Sequence, residues 1–229
     1  NIAHEIRNPL GSIELFASLV RKGMAEGDER MTLMHHISSA ITSMNHIISN
    51  VLEYSKPRSV SLQPMDLHAL LRELDGFFRF MAGQNGVELV LALQAPQGQI
   101  RGDRELLKQA LHNLLLNAVQ AMPEGGTLTL STRALSVTGP DVLSRFGQAA
   151  HGHSALEVVQ VQVQDTGVGM SPEMRGRIFD PFFTTRSRGT GLGLAIVHTI
   201  VEAHHGTIDV ESQLNRGTTF ALMFPTLPP

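Results

Sequence analysis

The sequence predicts an α+β chain in two parts. An antiparallel helical hairpin comes first, then a two-layer α/β sandwich with helices on one face of a mixed sheet. Three observations predict this. Two apolar stripes at heptad spacing fill roughly the first fifty residues. From about Asp66 onward, helix-like and strand-like periodicities interleave. The last two strand-like segments, Gly206–Ser212 and Thr218–Phe224, are close enough in sequence to form an antiparallel hairpin.

The first stripe runs through Leu10, Ile13, Ala17, Val20 and Met24. The second runs through Ile37, Ile41, Met44, Ile48 and Val51. Steps of three and four residues make the seam of a coiled coil or bundle. Gly23–Arg30 separates the stripes, with Gly27 and Asp28 as the breaker, and a short connection sets neighbouring helices antiparallel. Two helices alone cannot enclose both stripes. The expectation is therefore a four-helix bundle completed by a second copy, a homodimer; packing of the hairpin onto the rest of its own chain is the alternative. Pro57 ends the second helix, because proline lacks an N–H and restricts the residue before it. Ser55–Gln63 then reads as a linker, which gives domains at residues 1–58 and 59–229.

The second part is taken in order. Asp66–Ala82 has helical periodicity and Val87–Leu93 alternates as a strand. Asp103–Ala121 reads as a strong helix with Asp103 as its N-cap. Thr127–Thr132 and Glu157–Gln164 read as strands, and the segment between them, Arg133–Leu156, is too long for an ordinary hairpin loop. It reads as an insertion with one short helix. Ser171-Pro172-Glu173 is a helix start: an N-cap, proline at the first helical position, then an acid. Thr190–His204 is helical behind a glycine cluster.

Composition narrows the function. The chain has 229 residues, 42% hydrophobic and 17% charged, enough for a packed core. No apolar run reaches the roughly 18 residues that a membrane helix needs. Without cysteine, disulfides, thiolate metal sites and cysteine nucleophiles are excluded. A net charge of −3, one Tyr and no Trp give no basis for nucleic-acid binding.

Five segments carry chemistry. In His4-Glu5-Ile6-Arg7-Asn8-Pro9, a neutral imidazole is a nucleophile at pH 7, and Glu5 can take or hold the other ring proton. Asn8, four residues on, shares the helix face with His4. Asn113 and Asn117 also stand four apart, with Leu111, Leu114, Leu115 and Ala118 on the opposite side. Their carboxamide oxygens are hard ligands of the kind Mg²⁺ accepts alongside phosphates. Asp165-Thr166-Gly167-Val168-Gly169 puts an acid at a strand end, able to accept from an exocyclic amine, and two glycines that permit close approach of a flat ligand. Phe179–Arg188 reads as a lid, with Phe182 and Phe183 as anchors and Arg186 or Arg188 facing phosphate charge. Gly189-Thr190-Gly191-Leu192-Gly193 opens a helix whose N-terminal amides can hold an anion. No GxxxxGK[ST] occurs, which excludes a P-loop.

Taken in order, these segments resemble those of two-component sensor histidine kinases, and the resemblance covers essentially the whole chain. His4–Leu10 resembles the phosphoacceptor box of the dimerisation domain. Asn113–Asn117, Asp165–Gly169, Phe179–Phe183 and Gly189–Gly193 resemble the N, G1, F and G2 boxes of the ATP-binding domain, whose fold is shared with gyrase, Hsp90 and MutL. The resemblance implies ATP and Mg²⁺ as ligands, phosphorylation of His4, Glu5 as base and Asn8 as an assisting group. It implies Asn117 on Mg²⁺ with Asn113 near the phosphates, and Asp165 on adenine. Gly189, Gly191 and Gly193 would bed the phosphates, and Gly167, Gly169, Phe182, Arg186 and Leu192 would complete the site. The phosphoryl group would pass to an aspartate on a response regulator receiver domain, with phosphatase activity toward it as well. The Phe182-Phe183-Thr184-Thr185-Arg186 run is most similar to the NtrB-like group, which serves NtrC-like activators. The implied compartment is the cytoplasm, with no membrane contact by this stretch and any anchor in the sensory half upstream of it.

The alternative is an ATPase of the same fold that hydrolyses ATP to drive a conformational cycle. Those enzymes carry a glutamate where Asn113 stands, and an amide is a poor base for activating water.

Overall fold

The structure, a computed structural model, describes residues 60–150, 154–186 and 190–227, and of the N-terminal part Ile13, Leu15, Phe16, residues 18–20 and Ile37. Most of the heptad stripes and the connection between them therefore lie outside the described residues, as does Pro57. The N-terminal residues that are described are helical, and Ile13, Leu15, Phe16, Leu19, Val20 and Ile37 are exposed in the single chain. The chain divides into two compact units: Ser59–Pro181 with Leu194–Pro229, and Asn1–Arg58 with Phe182–Gly193.

The larger unit begins with β1 (Gln63–Asp66), α1 (Leu67–Gln84), β2 (Val87–Leu93), β3 (Gln99–Gly102), α2 (Arg104–Gln120) and β4 (Gly126–Thr138). A short helix α3 (Pro140–Ser144) and a 3-10 turn (Gly147–Ala150) follow, then β5 (Ala155–Asp165) and α4 (Pro172–Arg175). It closes with α5 (Gly193–Ala203, in this unit from Leu194 onward), β6 (Thr207–Gln213) and β7 (Gly217–Pro225). Helix starts follow local chemistry. Asp66 and Asp103 are N-caps in extended conformation, accepting from His68 N and Leu106 N, and Ser171 accepts from Met174 N. Each such cap contributes about 1 kcal/mol.

The main sheet has order β2-β4-β5-β7-β6, parallel between β2 and β4 and antiparallel elsewhere, so the mixed sheet and the closing hairpin are as expected. Strand alternation puts Leu128, Leu130, Val159, Val161, Val163, Leu222 and Phe224 on one face, all buried. The helices bury Leu70, Leu74 and Phe78 of α1, Leu111, Leu114 and Leu115 of α2, and Ile196, Ile200 and Val201 of α5. The opposite face is polar toward the Asp165 end, where Thr129, Ser131 and Arg133 stand across from Gln164, Gln162 and Gln160.

Three details differ from the sequence reading. First, β1 and β3 form a separate two-stranded sheet, so Gln63, read as linker, is a strand residue paired with Gly102. Four-residue strands give too short an alternation to register as a period. Second, the Arg133–Leu156 insertion begins as strand: β4 and β5 pair from Leu128↔Asp165 out to Thr138↔Ala155. Third, it holds two short helical pieces rather than one. Leu143 and Phe146 from this flap bury Val137, Val158 and Met223, the apolar end of the outer sheet face. The insertion thus closes a surface that would otherwise expose a hydrophobic patch.

Candidate functional site

Asn113 and Asn117 lie on α2, half-buried, while Leu111, Leu114, Leu115 and Ala118 on the other side are buried in the core. The amide stripe is therefore the edge that the core leaves accessible. The helix ends with Ala121 N–H donating to Asn117 O at 3.0 Å. Ala121 O in turn accepts from Val168 N–H at 3.0 Å. One backbone bond, from Val168 N–H to Ala121 O, thus fastens the loop after Asp165 to the C-terminal end of the Asn helix.

Asp165 is the last residue of β5 and is 4% exposed. Its Oδ1 accepts from Gly167 N at 2.9 Å and from Thr218 N, on the neighbouring strand β7, at 3.2 Å. A buried carboxylate requires such donors, and these two fix its orientation. Ser212 Oγ accepts from Met170 N at 2.9 Å and stands 3.0 Å from Thr218 Oγ1, which ties the far end of the loop to the β6–β7 hairpin. Thr166 Oγ1 accepts from Thr127 N at 3.0 Å and ties the near end to β4.

The glycines of this loop answer to the protein backbone. A Cβ on Gly167 would stand 2.4 Å from Ala121 O. Gly169 has φ +60, and its Cβ would stand 2.0 Å from Gln213 O. The expected role, room for a flat ligand, is thus preceded by a stronger demand: the loop reaches α2 and the hairpin only without side chains there.

Phe182, Arg186, Gly191, Leu192 and Gly193 belong to the other unit. Phe182 N–H donates to Gly191 O at 3.0 Å, closing the base of the segment. Gly191 has φ +67, and a Cβ there would lie 2.4 Å from the carbonyl carbon of Phe182. Phe182 itself has φ 69 and is 62% exposed, so the expectation that it anchors the lid is corrected. Its ring points outward because the backbone, rather than the side chain, makes the contact with Gly191. The buried residue nearby in sequence is Ile178, and Phe179 packs against His198 at a tilt, with centroids 5.2 Å apart. Leu192 is buried, and its N–H donates to Thr190 Oγ1 at 3.3 Å. Arg186 is exposed and its amide donates to Thr184 Oγ1 at 3.1 Å. His4, Glu5, Asn8, Arg188 and Gly189 lie outside the described residues.

The structure thus brings Asn113, Asn117, Asp165, Gly167 and Gly169 together in one unit. Thr166, Ser212, Thr218 and Ala121 were not read from the sequence. Thr166 had a signal, a hydroxyl between the acid and the first glycine; the others act through backbone or across strands and had none. Among the described residues no group of three or more His, Asp or Glu is placed to hold a metal ion. Two half-buried carboxamides fit a cation that arrives with phosphates and keeps waters, the habit of Mg²⁺. No helix among the described residues is long and apolar enough to cross a membrane.

Comparison with known proteins is consistent with this geometry. Residues 1–60 match the His Kinase A (phospho-acceptor) domain. Residues 102–228 match the histidine kinase-, DNA gyrase B- and HSP90-like ATPase family. The sensor histidine kinase ZraS of Escherichia coli (strain K12) is 35% identical over 224 residues, 98% of this chain and 44% of ZraS. The signal transduction histidine-protein kinase AtoS of the same organism is 34% identical over 227 residues, 99% of this chain and 34% of AtoS. The chain thus spans less than half the length of these curated relatives. Full-length ShkA in complex with AMPPNP superposes with a TM-score of 0.73 at 27% identity, covering 100% of this chain and 46% of that one. Histidine kinase ThkA in complex with response regulator protein TrrA superposes with a TM-score of 0.69 at 27% identity, covering 99% and 60%.

Proposed function

Because this chain belongs to the two-component sensor histidine kinase family, with its phosphoacceptor and ATPase-type domains both present, we propose that it phosphorylates its own His4 from ATP and passes the phosphoryl group to a response regulator. The observation that carries the reading is the docking of the Asp165–Gly169 loop onto the end of the Asn113–Asn117 helix through Val168 and Ala121. It sets an oriented buried carboxylate beside a half-buried amide pair, one suited to a purine amine and the other to a phosphate-bound cation.

Asp165 accepts from the exocyclic amine of adenine. Asn117 holds Mg²⁺ with Asn113 near the phosphates; the ion neutralises phosphate charge when bound. Gly189, Gly191, Leu192 and Gly193 bed the phosphates, and Arg186 adds charge. Catalysis of this kind is chiefly positioning and electrostatics. The lone pair of a neutral His4 ring nitrogen forms the bond to the γ-phosphorus, and the bond from that phosphorus to the ADP oxygen breaks. Glu5 takes the proton from the other ring nitrogen, and Asn8 orients the transferred group. The phosphorus–nitrogen bond is then exchanged for an acyl phosphate on the receiver aspartate. The similarity of Phe182–Arg186 to the NtrB-like group supports an NtrC-like activator as the receiver's owner. A homodimer would cover the exposed Ile13, Phe16 and Val20. ATP as substrate and a receiver as partner support a cytoplasmic location for this stretch.

The test is transfer. The chain, loaded from γ-labelled Mg-ATP and then mixed with a receiver domain, should lose its label to the receiver as it appears there. Steady phosphate release with no protein-bound label would instead support the hydrolytic ATPase.

A further inference from the structure

His204 is a buried histidine, 2% exposed, that the proposed reaction does not use. It is the residue immediately after α5. Both of its ring nitrogens are engaged. Nδ1 lies 2.7 Å from Ile200 O, a carbonyl, so Nδ1 carries the proton. Nε2 accordingly carries the lone pair and accepts from the Asp103 amide N–H at 2.8 Å. The ring is held in place: Phe224 meets it edge-on with centroids 6.3 Å apart, and Gly102 lies against Cδ2 so closely that an added Cβ would stand 3.3 Å away.

Asp103 is a junction. Its Oδ1 caps α2 by accepting from Leu106 N at 3.3 Å, and its backbone O accepts from Leu107 N at 3.0 Å. Its Oδ2 accepts from Ser61 N at 3.3 Å, where the chain enters the larger unit. One residue therefore joins the entering segment, the start of the Asn113–Asn117 helix and, through His204, the end of α5.

We propose that His204 is a positioning residue for the nucleotide site: its Nε2 holds the Asp103 amide, and so sets the α2 N-terminus and the entry at Ser61 in one register with α5. The proposal rests on the nucleotide reading of α2. A rigid α2 carries the constraint from Asp103 to Asn113 and Asn117. Loss of the bond lets the first turn of α2 shift, which misplaces the amides.

Two substitutions separate this role from plain stability. In His204→Gln the amide oxygen reaches about as far as Nε2 and can keep the bond to Asp103 while losing the one to Ile200. In His204→Asn the shorter side chain keeps the partner at Ile200 and loses Asp103. Each loses one hydrogen bond. Hydrogen exchange at the Asp103 and Ser61 amides and the affinity for Mg-ATP are measured in the whole chain. His204→Asn is expected to speed exchange at Asp103 and to weaken Mg-ATP binding roughly five-fold, the worth of one net hydrogen bond. His204→Gln should stay within about two-fold of wild type on both. Equal behaviour of the two variants, or slow Asp103 exchange in His204→Asn, overturns the proposal. If wild type fails to bind Mg-ATP, the nucleotide reading falls and the positioning role with it, while exchange at Asp103 still reports whether the latch exists.

Discussion

The amide of Thr218 on β7 donates to Oδ1 of Asp165 on β5 at 3.2 Å, so the strand neighbour orients the acid that ends β5. Together with Gly167 N–H, this bond fixes Oδ1 as the structural oxygen. An asparagine keeps one acceptor oxygen for those two donors and loses the charge. Asp165→Asn is therefore expected to weaken adenine nucleotide binding about ten- to hundred-fold, the range for a hydrogen bond to a charged group. Its melting temperature should move by only a few degrees. Calorimetric titration with ATP beside a thermal melt checks this; unchanged affinity would remove Asp165 from the adenine site.

The loop glycines give a contrast. Gly169 has φ +60 and a Cβ would meet Gln213 O at 2.0 Å, whereas Gly176 has φ −67 and nothing closer than 3.7 Å. Gly169→Ala should cost more than about 2 kcal/mol, combining backbone strain with a clash. Gly176→Ala should stay within about 1 kcal/mol of wild type, with either sign. Urea unfolding of both variants decides; equal costs would mean that the loop relaxes away from the hairpin.

Much of the larger unit was legible because its signals are local. Asp103, Asp66 and Ser171 announce helix starts by side chains that reach amides two or three residues on. Val87–Val90 alternates buried and exposed, and the apolar run continues to Leu93, so the strand stands out in the sequence. β1 and β3 leave no such signal, because four residues are too few to show a period. The flap is illegible for a different reason: Leu143 and Phe146 cover Val158 and Met223, distant in sequence, so tertiary burial rather than local pattern decides their place. The candidate site follows the same division. Asp165 and the Asn pair stand out in the sequence, but Thr218, Ser212 and Ala121 hold them through backbone and cross-strand bonds that no spacing encodes. Phe182 shows the limit of reading an aromatic as an anchor, since its backbone makes the contact and its ring is exposed.

Acid should destabilise the fold. Burial pushes His204 below the ordinary histidine value, partly offset by the Ile200 carbonyl that accepts from Nδ1 and by the nearby Asp103 carboxylate. Burial likewise lowers His68, against the pull of Asp66, and His112, with Lys108 adding to the effect. In the unfolded chain these rings take up protons near pH 6.5. The unfolded state then binds more protons than the native one once pH falls below that value. Stability is thus fully present above about pH 6.5 and declines below it, by at most about 1.4 kcal/mol per pH unit for each ring. Urea midpoints at pH 7.5 and 5.5 should fall with acidification, and His204→Gln should reduce the difference. A midpoint that rises toward pH 5.5 would contradict this account.

The central claim is that His4 receives the γ-phosphoryl group of ATP. The most direct measurement incubates the chain and its His4→Gln variant with γ-labelled Mg-ATP, then tests the stability of the label in acid and base. The account predicts a label on wild type that is lost in acid, kept in base and absent from the variant. A label that survives acid, or one that His4→Gln retains, would contradict it.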